Sequence, residues 1–235
     1  MVAALACALP AAASAAPATG PHERIESTFT TKRTAAPTGF TYRGTYHAAG
    51  NPKGRPPYMR RMRSWWPRGM KLDTSVPARC TASDVELAAR GAAACPKGSL
   101  LARGRTGTVF MGQFPSETVV EMFNNANEQI ILAQSYLVTT VARGRVRPDN
   151  SIEYASPTCW PTVGSLCPVD SVLQLWTVMR MTKPYTKTVG GRVRTYMRTP
   201  RKCPAQGYWT TPVKFWWADG TSDIVATKQP CRRPG

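Results

Sequence analysis

Apolar and polar positions alternate with a period of two over much of this chain, the spacing that sends successive side chains to opposite faces of a strand. Val213, Phe215 and Trp217 share one such face, with Lys214 and Trp216 on the other. Leu173, Leu175, Met179 and Met181 mark one side of residues 172–182, opposite Gln174 and Arg180. Over residues 192–199, Val193, Thr195 and Met197 alternate with Arg192, Arg194 and Arg198. Runs rich in β-branched and aromatic residues predict further strands over 25–32, 39–46, 58–66, 100–111 and 118–123, with one or two more over 129–141. Asp219-Gly220 between two such runs predicts a hairpin, because its turn needs positive φ.

One segment breaks the pattern. Ser83-Asp84-Val85-Glu86 has the form of a capping box, in which the serine hydroxyl and the glutamate carboxylate each take the other's backbone N–H. Leu87, Ala88 and Ala89 continue a helix, and Gly91 can end it. About ten short strands and one helix predict an all-β protein. The expected architecture is a β-sandwich, Ig-like or jelly-roll-like, with one short inserted helix. It spans residues 25–235 as a single domain of one or two lobes, ending in a strand block over 203–231.

Composition supports a folded chain with many turns: 42% hydrophobic, with 21 Pro and 18 Gly. Residues 1–15 read as a secretory signal, since Val2 to Ala13 is small and apolar and Ala13-Ser14-Ala15 fits a cleavage site. The usual basic n-region is missing. Residues 16–24 read as a flexible mature N-terminus. No later apolar run reaches the ~18–20 residues needed to span a membrane.

Cys7 would leave with the signal. Six cysteines remain, an even number that reads as a disulfide framework in an exported protein. Each sequential pair brackets a compact segment, which predicts Cys80–Cys95, Cys159–Cys167 and Cys203–Cys231. There is no Cys-x-x-Cys, and the only histidines are His22 and His47, so no metal site is expected and no cofactor is implied.

Thirty-one Lys and Arg against 13 Asp and Glu give a formal charge of +18, which draws a protein towards anionic polymers. Candidate binding residues are the arginines Arg60, Arg61, Arg63, Arg192, Arg194 and Arg198, with the pairs Trp65-Trp66 and Trp216-Trp217. Neighbouring strand residues face opposite ways, so one Trp of each pair is expected in the core and the other outside. An outward Trp could stack on a sugar or a base.

Catalysis has little support. No Gly-x-Ser-x-Gly elbow occurs, and a histidine-based triad would have to recruit His47. Glu117 with Glu121, and Asp219 with Asp223, are close enough in sequence for paired acid–base work. A solvated strand face and a turn explain them more simply.

Arg79-Cys80-Thr81-Ala82-Ser83-Asp84, Ala94-Cys95-Pro96, Cys203-Pro204 to Trp209, Asp219-Gly220 and Pro230-Cys231 resemble uncharacterised secreted proteins of high-GC Gram-positive (actinobacterial) bacteria. That resemblance lies in cysteine and turn positions. It implies shared architecture and export, and carries over no catalytic residue. The expected function is a secreted, non-enzymatic protein that associates with anionic cell-envelope polymers or acidic glycans through basic strand faces. Nucleic acid would bind only unspecifically. The alternatives are a glycan-binding module using exposed Trp, or a carboxylate-dependent polysaccharide hydrolase.

Overall fold

The computed structural model describes residues 20–161, 167–168 and 170–232; the expected signal over 1–15 lies outside them. Strands β1 (Glu23–Phe29), β2 (Phe40–Tyr46), β3 (Met59–Trp65) and the two-residue β4 (Lys71–Leu72) precede helix α1 (Asp84–Arg90). Next come β5 (Leu100–Phe110), β6 (Phe114–Asn125), β7 (Glu128–Gln134), β8 (Val138–Val146), β9 (Ser151–Ala155) and β10 (Thr158–Pro161). Then β11 (Val172–Met181) leads to β12 (Thr186–Val189), β13 (Arg192–Thr195) and β14 (Met197–Arg198). The chain closes on β15 (Tyr208–Trp217) and β16 (Ser222–Pro230).

Eleven strands hydrogen-bond in the order β1-β2-β11-β5-β6-β7-β8-β9-β3-β15-β16, and β10 adds to β8. The two ends of this path meet. The Phe29 N–H donates to the Gln229 side-chain oxygen at 2.7 Å, and the Arg232 N–H donates to the Lys32 carbonyl at 2.8 Å. One sheet therefore curls into a nearly closed barrel, which corrects the expected two-sheet sandwich. Both architectures bury every second residue of each strand, so the alternation alone does not separate them. Strand order and curvature do, and β-bulges at Gln174/Trp176, Trp216/Trp217 and Leu100/Ala102 help the sheet bend.

The ambiguous segment 129–141 forms two strands. Its turn is held by the Ser135 hydroxyl, which accepts the N–H groups of Leu137 and Val138. The β6–β7 turn passes through Asn127 at φ 51°, a left-handed conformation that Asn tolerates. Gly220, at φ 86°, makes the expected β15–β16 turn.

Helix α1 has the predicted capping box and lies on the outside of the barrel. Its fully buried Leu87 packs with Ile130, Leu132 and Val141 on the outer faces of β7 and β8. Arg143 ties it down, bonding Asp84 at 2.5 Å, Glu128 at 2.9 Å and the Ala82 carbonyl at 2.7 Å. The disulfides join Cys80–Cys95, Cys159–Cys167 and Cys203–Cys231. Among the described residues, no helix is long and apolar enough to cross a membrane.

One end of the barrel is plugged. Tyr196 and Met197 arrive on the segment before and within β14, which pairs with β4, and pack with Phe40, Met70, Met122 and Met181. A buried relay fixes this plug to the wall. The Tyr154 hydroxyl donates to Gln129 Oε1 at 2.5 Å, and Gln129 Nε2 donates to the Tyr196 hydroxyl at 2.6 Å.

Candidate ligand site inside the barrel

Inward positions of the strands line a partly open cavity of about 190 Å³. Its wall is mostly apolar, with Met62, Val120, Met122, Ile131, Ile152, Met179 and Val213 among the lining residues. Room exists because several inward positions carry small side chains: Ser27 on β1, Thr106 on β5, Ala133 on β7 and Ala142 on β8. Gly44 serves the same end on β2. A Cβ there would lie 2.7 Å from the Tyr46 hydroxyl oxygen and 3.0 Å from that of Tyr42, which meet each other over it at 2.9 Å. Burial pushes both phenols well above the usual tyrosine range, so they stay protonated.

A second polar patch belongs to β5 and β11. Thr106 and Thr177 hydroxyls lie 2.8 Å apart, and Gln174 Nε2 reaches Thr106 at 3.2 Å and also Thr177. This patch is internally satisfied. The end opposite the plug is bordered by Arg61, Ala155, Pro157, Val172 and Gln174. Across it, Arg60 at the start of β3 pairs with Asp170 before β11 at 2.6 Å, although β3 and β11 are far apart in the sheet order.

The expected binding residues do not form one surface. Trp66 lines the cavity and packs near Phe29 and Phe40, and Trp217 is buried beside Phe215. Trp216 faces outward beneath Arg61, whose guanidinium carbon sits 3.9 Å from the ring centre. Trp65 has Arg63 over its ring and donates to Asp149 at 3.3 Å. Each outward indole is thus already stacked by a cation. The arginines beside them are engaged too: Arg63 meets Asp149 at 2.5 Å and Glu153 at 3.7 Å, and Arg61 meets Glu153 at 3.9 Å. The stripe expected from Arg192, Arg194 and Arg198 is broken. β13 pairs only with β12, β14 pairs with β4, Arg194 binds Asp73 at 2.6 Å, and Arg198 donates to the Ala35 carbonyl. A one-residue gap in strand structure, at Tyr196, is enough to end a face.

The carboxylates divide in two. Glu117 and Glu121 lie on the outer wall, each bound by its own arginine, Arg105 and Arg103. Asp219 and Asp223 instead converge on His22, with Nδ1 2.7 Å from Asp223 and Nε2 3.4 Å from Asp219. The Trp217 indole also donates to Asp223 at 2.9 Å. Burial works against the Asp223 charge, but hydrogen bonds from the His22 ring and backbone and from Trp217 hold its carboxyl below the usual range. Asp219 is lowered likewise, by Thr221 and His22 against a burial penalty.

Beside this cluster sits Glu23, only 2% exposed, with neither carboxylate oxygen hydrogen-bonded among the described residues. Burial, reinforced by the Asp223 charge, pushes it up to about 8. The stretch 16–24, expected as a loose terminus, contains two buried polar residues, His22 and Glu23. No local pattern announces this cluster, because its partners come from opposite ends of the sequence. Its chemistry is that of a seam between β1 and β16. Among the described residues, no group of three or more His, Cys, Asp or Glu is placed to hold a metal ion. Comparison with protein-family models, with curated proteins and with solved structures returns no match to this chain.

Proposed function

We propose that this protein binds a small, neutral, largely apolar molecule inside its barrel, and that it acts as a carrier or sequestering protein rather than an enzyme. The observation that carries this reading is the largely apolar, partly open cavity of about 190 Å³. An apolar cavity of roughly 150 Å³ in another protein is large enough to bind benzene, so this one suits a single ring or a chain of about ten heavy atoms. A native core normally packs to crystal-like density. Small inward residues on four separate strands, β1, β5, β7 and β8, therefore favour a site over a packing defect. Export fits the same reading, since three disulfides persist best in an oxidising compartment.

Calorimetric titration with toluene and with indole tests it. Saturable binding with a Kd of about 10–100 µM is expected for so few heavy atoms. Ala142→Phe, which projects a ring into the space beside Ile131, should abolish it while the fold survives by circular dichroism. Absence of saturable binding in the wild type, or equal binding in Ala142→Phe, would overturn the reading.

A second reading, association with an anionic cell envelope, is favoured by one feature of the outer wall. Arg43, Arg103, Arg105 and Arg180 are exposed on the adjacent strands β2, β11 and β5. Arg43 and Arg180 form no ion pair among the described residues, whereas Arg103 and Arg105 do. Binding to an anionic wall polymer should then weaken steeply and log-linearly with salt, and Arg43→Gln with Arg180→Gln should reduce that slope. A slope unchanged by the double variant would dismiss this wall as the contact.

A further inference from the structure

The cavity is not uniformly apolar, and its polar atoms differ in whether they have partners. Four buried polar groups that find no hydrogen-bond partner among the described residues lie on neighbouring inner positions of one wall: Trp66 Nε1, Thr211 Oγ1, Thr227 Oγ1 and Gln229 Nε2. Thr211 stands directly opposite Thr227 in the β15–β16 register, and Gln229 opposite Trp209 one inward position along. On the other side of β15, the β3 register pairs Val213 with Ser64. Continued by two residues, it brings Trp66 opposite Thr211. Trp66 and Thr211 both line the cavity, and Thr211 is 98% buried, with 2% of its surface exposed.

Leaving a buried donor or hydroxyl without a partner costs roughly 1–3 kcal/mol per group, and native proteins rarely gather such groups by accident. All four can act as donors. An indole N–H and an amide nitrogen only donate, and the two hydroxyls can donate. Trp66 and Thr211, the two of them that line the cavity, thus offer donors to an acceptor atom.

Charge narrows the choice further. Arg61 is the one charged residue among the described residues lining the cavity, and its guanidinium lies outside, over the ring of Trp216, with which it pairs in register. Five residues of strand separate Trp216 from Thr211, roughly 17 Å. A carboxylate at the Trp66–Thr211 wall would therefore be buried without a counter-ion, at a heavy desolvation cost.

Resting on the reading of the cavity as a ligand site, we infer that its ligand carries a neutral acceptor oxygen, a carbonyl or ether, seated against Trp66 and Thr211 with its apolar body towards Met122 and Ile131. The site thus selects a small ketone, aldehyde, ester or ether over a hydrocarbon or an acid of the same shape.

Three probes of one shape test this. Acetophenone carries the carbonyl, α-methylstyrene replaces its oxygen with a methylene, and benzoate presents an anion. Calorimetric Kd values are compared for the wild type and Thr211→Val, a replacement of the same shape that removes only an unpartnered hydroxyl. Trp66→Phe serves as a second, independent variant. Acetophenone should weaken about five- to tenfold in Thr211→Val, while α-methylstyrene changes less than twofold and benzoate binds neither protein. An unchanged ratio of the two neutral ligands in both variants would overturn the inference and leave the cavity reading standing. Failure of both neutral ligands to bind the wild type would overturn the two together. A wild-type preference for benzoate would show that the wall holds an anion, and would also contradict the inference.

Discussion

Glu23→Gln makes the protein more stable at pH 8 and barely alters it at pH 4.5. In the unfolded chain this carboxyl ionises near 4.5, whereas in the barrel it keeps its proton up to about 8. The folded state thus binds more protons across that window, and stability falls as pH rises through it. The contribution is fully present below 4.5 and is lost as pH passes 8. A shift of this size corresponds to roughly 5 kcal/mol, large beside the 5–15 kcal/mol by which domains usually outlast unfolding.

The groups facing Glu23 sharpen the expectation. Asp223 adds repulsion to the ionised form, and Tyr42 and Tyr46 sense its charge from β2. Asp219 and Asp223 run the other way. Their lowered values give stability that is present above their unfolded values near 3.8 and is lost as pH falls below it. Stability should therefore peak at about pH 4–4.5. Urea midpoints for wild type and Glu23→Gln should diverge steadily between pH 4.5 and 8. Parallel curves would mean that the seam does not hold a neutral carboxyl.

Breaking Cys203–Cys231 has the next largest effect. The bridge spans 28 residues and encloses the whole β15–β16 hairpin. In the chain-entropy model a loop of this length is worth about 3–4 kcal/mol. It also anchors the chain next to Arg232, whose N–H donates to the Lys32 carbonyl and helps shut the barrel. Replacing both cysteines with serine should lower unfolding free energy by that amount in urea. It should also raise hydrogen exchange at Phe29 and Arg232 ahead of the rest of the sheet. A loss below ~1 kcal/mol, with no change at the seam, would show that side-chain bonds alone close it.

Much of the local structure was legible in the sequence, because local structure is set by local chemistry. The faces of β15, the Ser83–Glu86 cap, the Asp219-Gly220 turn and the three disulfides all follow from residues close together in the chain. The barrel did not follow, since inward and outward positions alternate identically in a sandwich. β9 and β10 are not legible in the sequence, because five and four residues are too few to show a period.

The site was the least legible part. Ala133, Ala142, Thr106 and Ser27 each look like ordinary small strand residues, and only closure of the sheet makes them walls of one cavity. Trp66 stands out in the sequence as one half of an aromatic pair, yet its neighbour on the cavity wall, Thr211, carries no signal of its own. His22 and Glu23 sit about 200 residues from Asp223, beyond the reach of any motif.

Xenon NMR gives the most direct measurement of the central claim, because xenon enters dry apolar cavities and little else. The account predicts a bound-xenon shift in the wild-type barrel that disappears in Ala142→Phe. A wild-type spectrum showing free xenon alone, or a bound signal that survives Ala142→Phe, would contradict it.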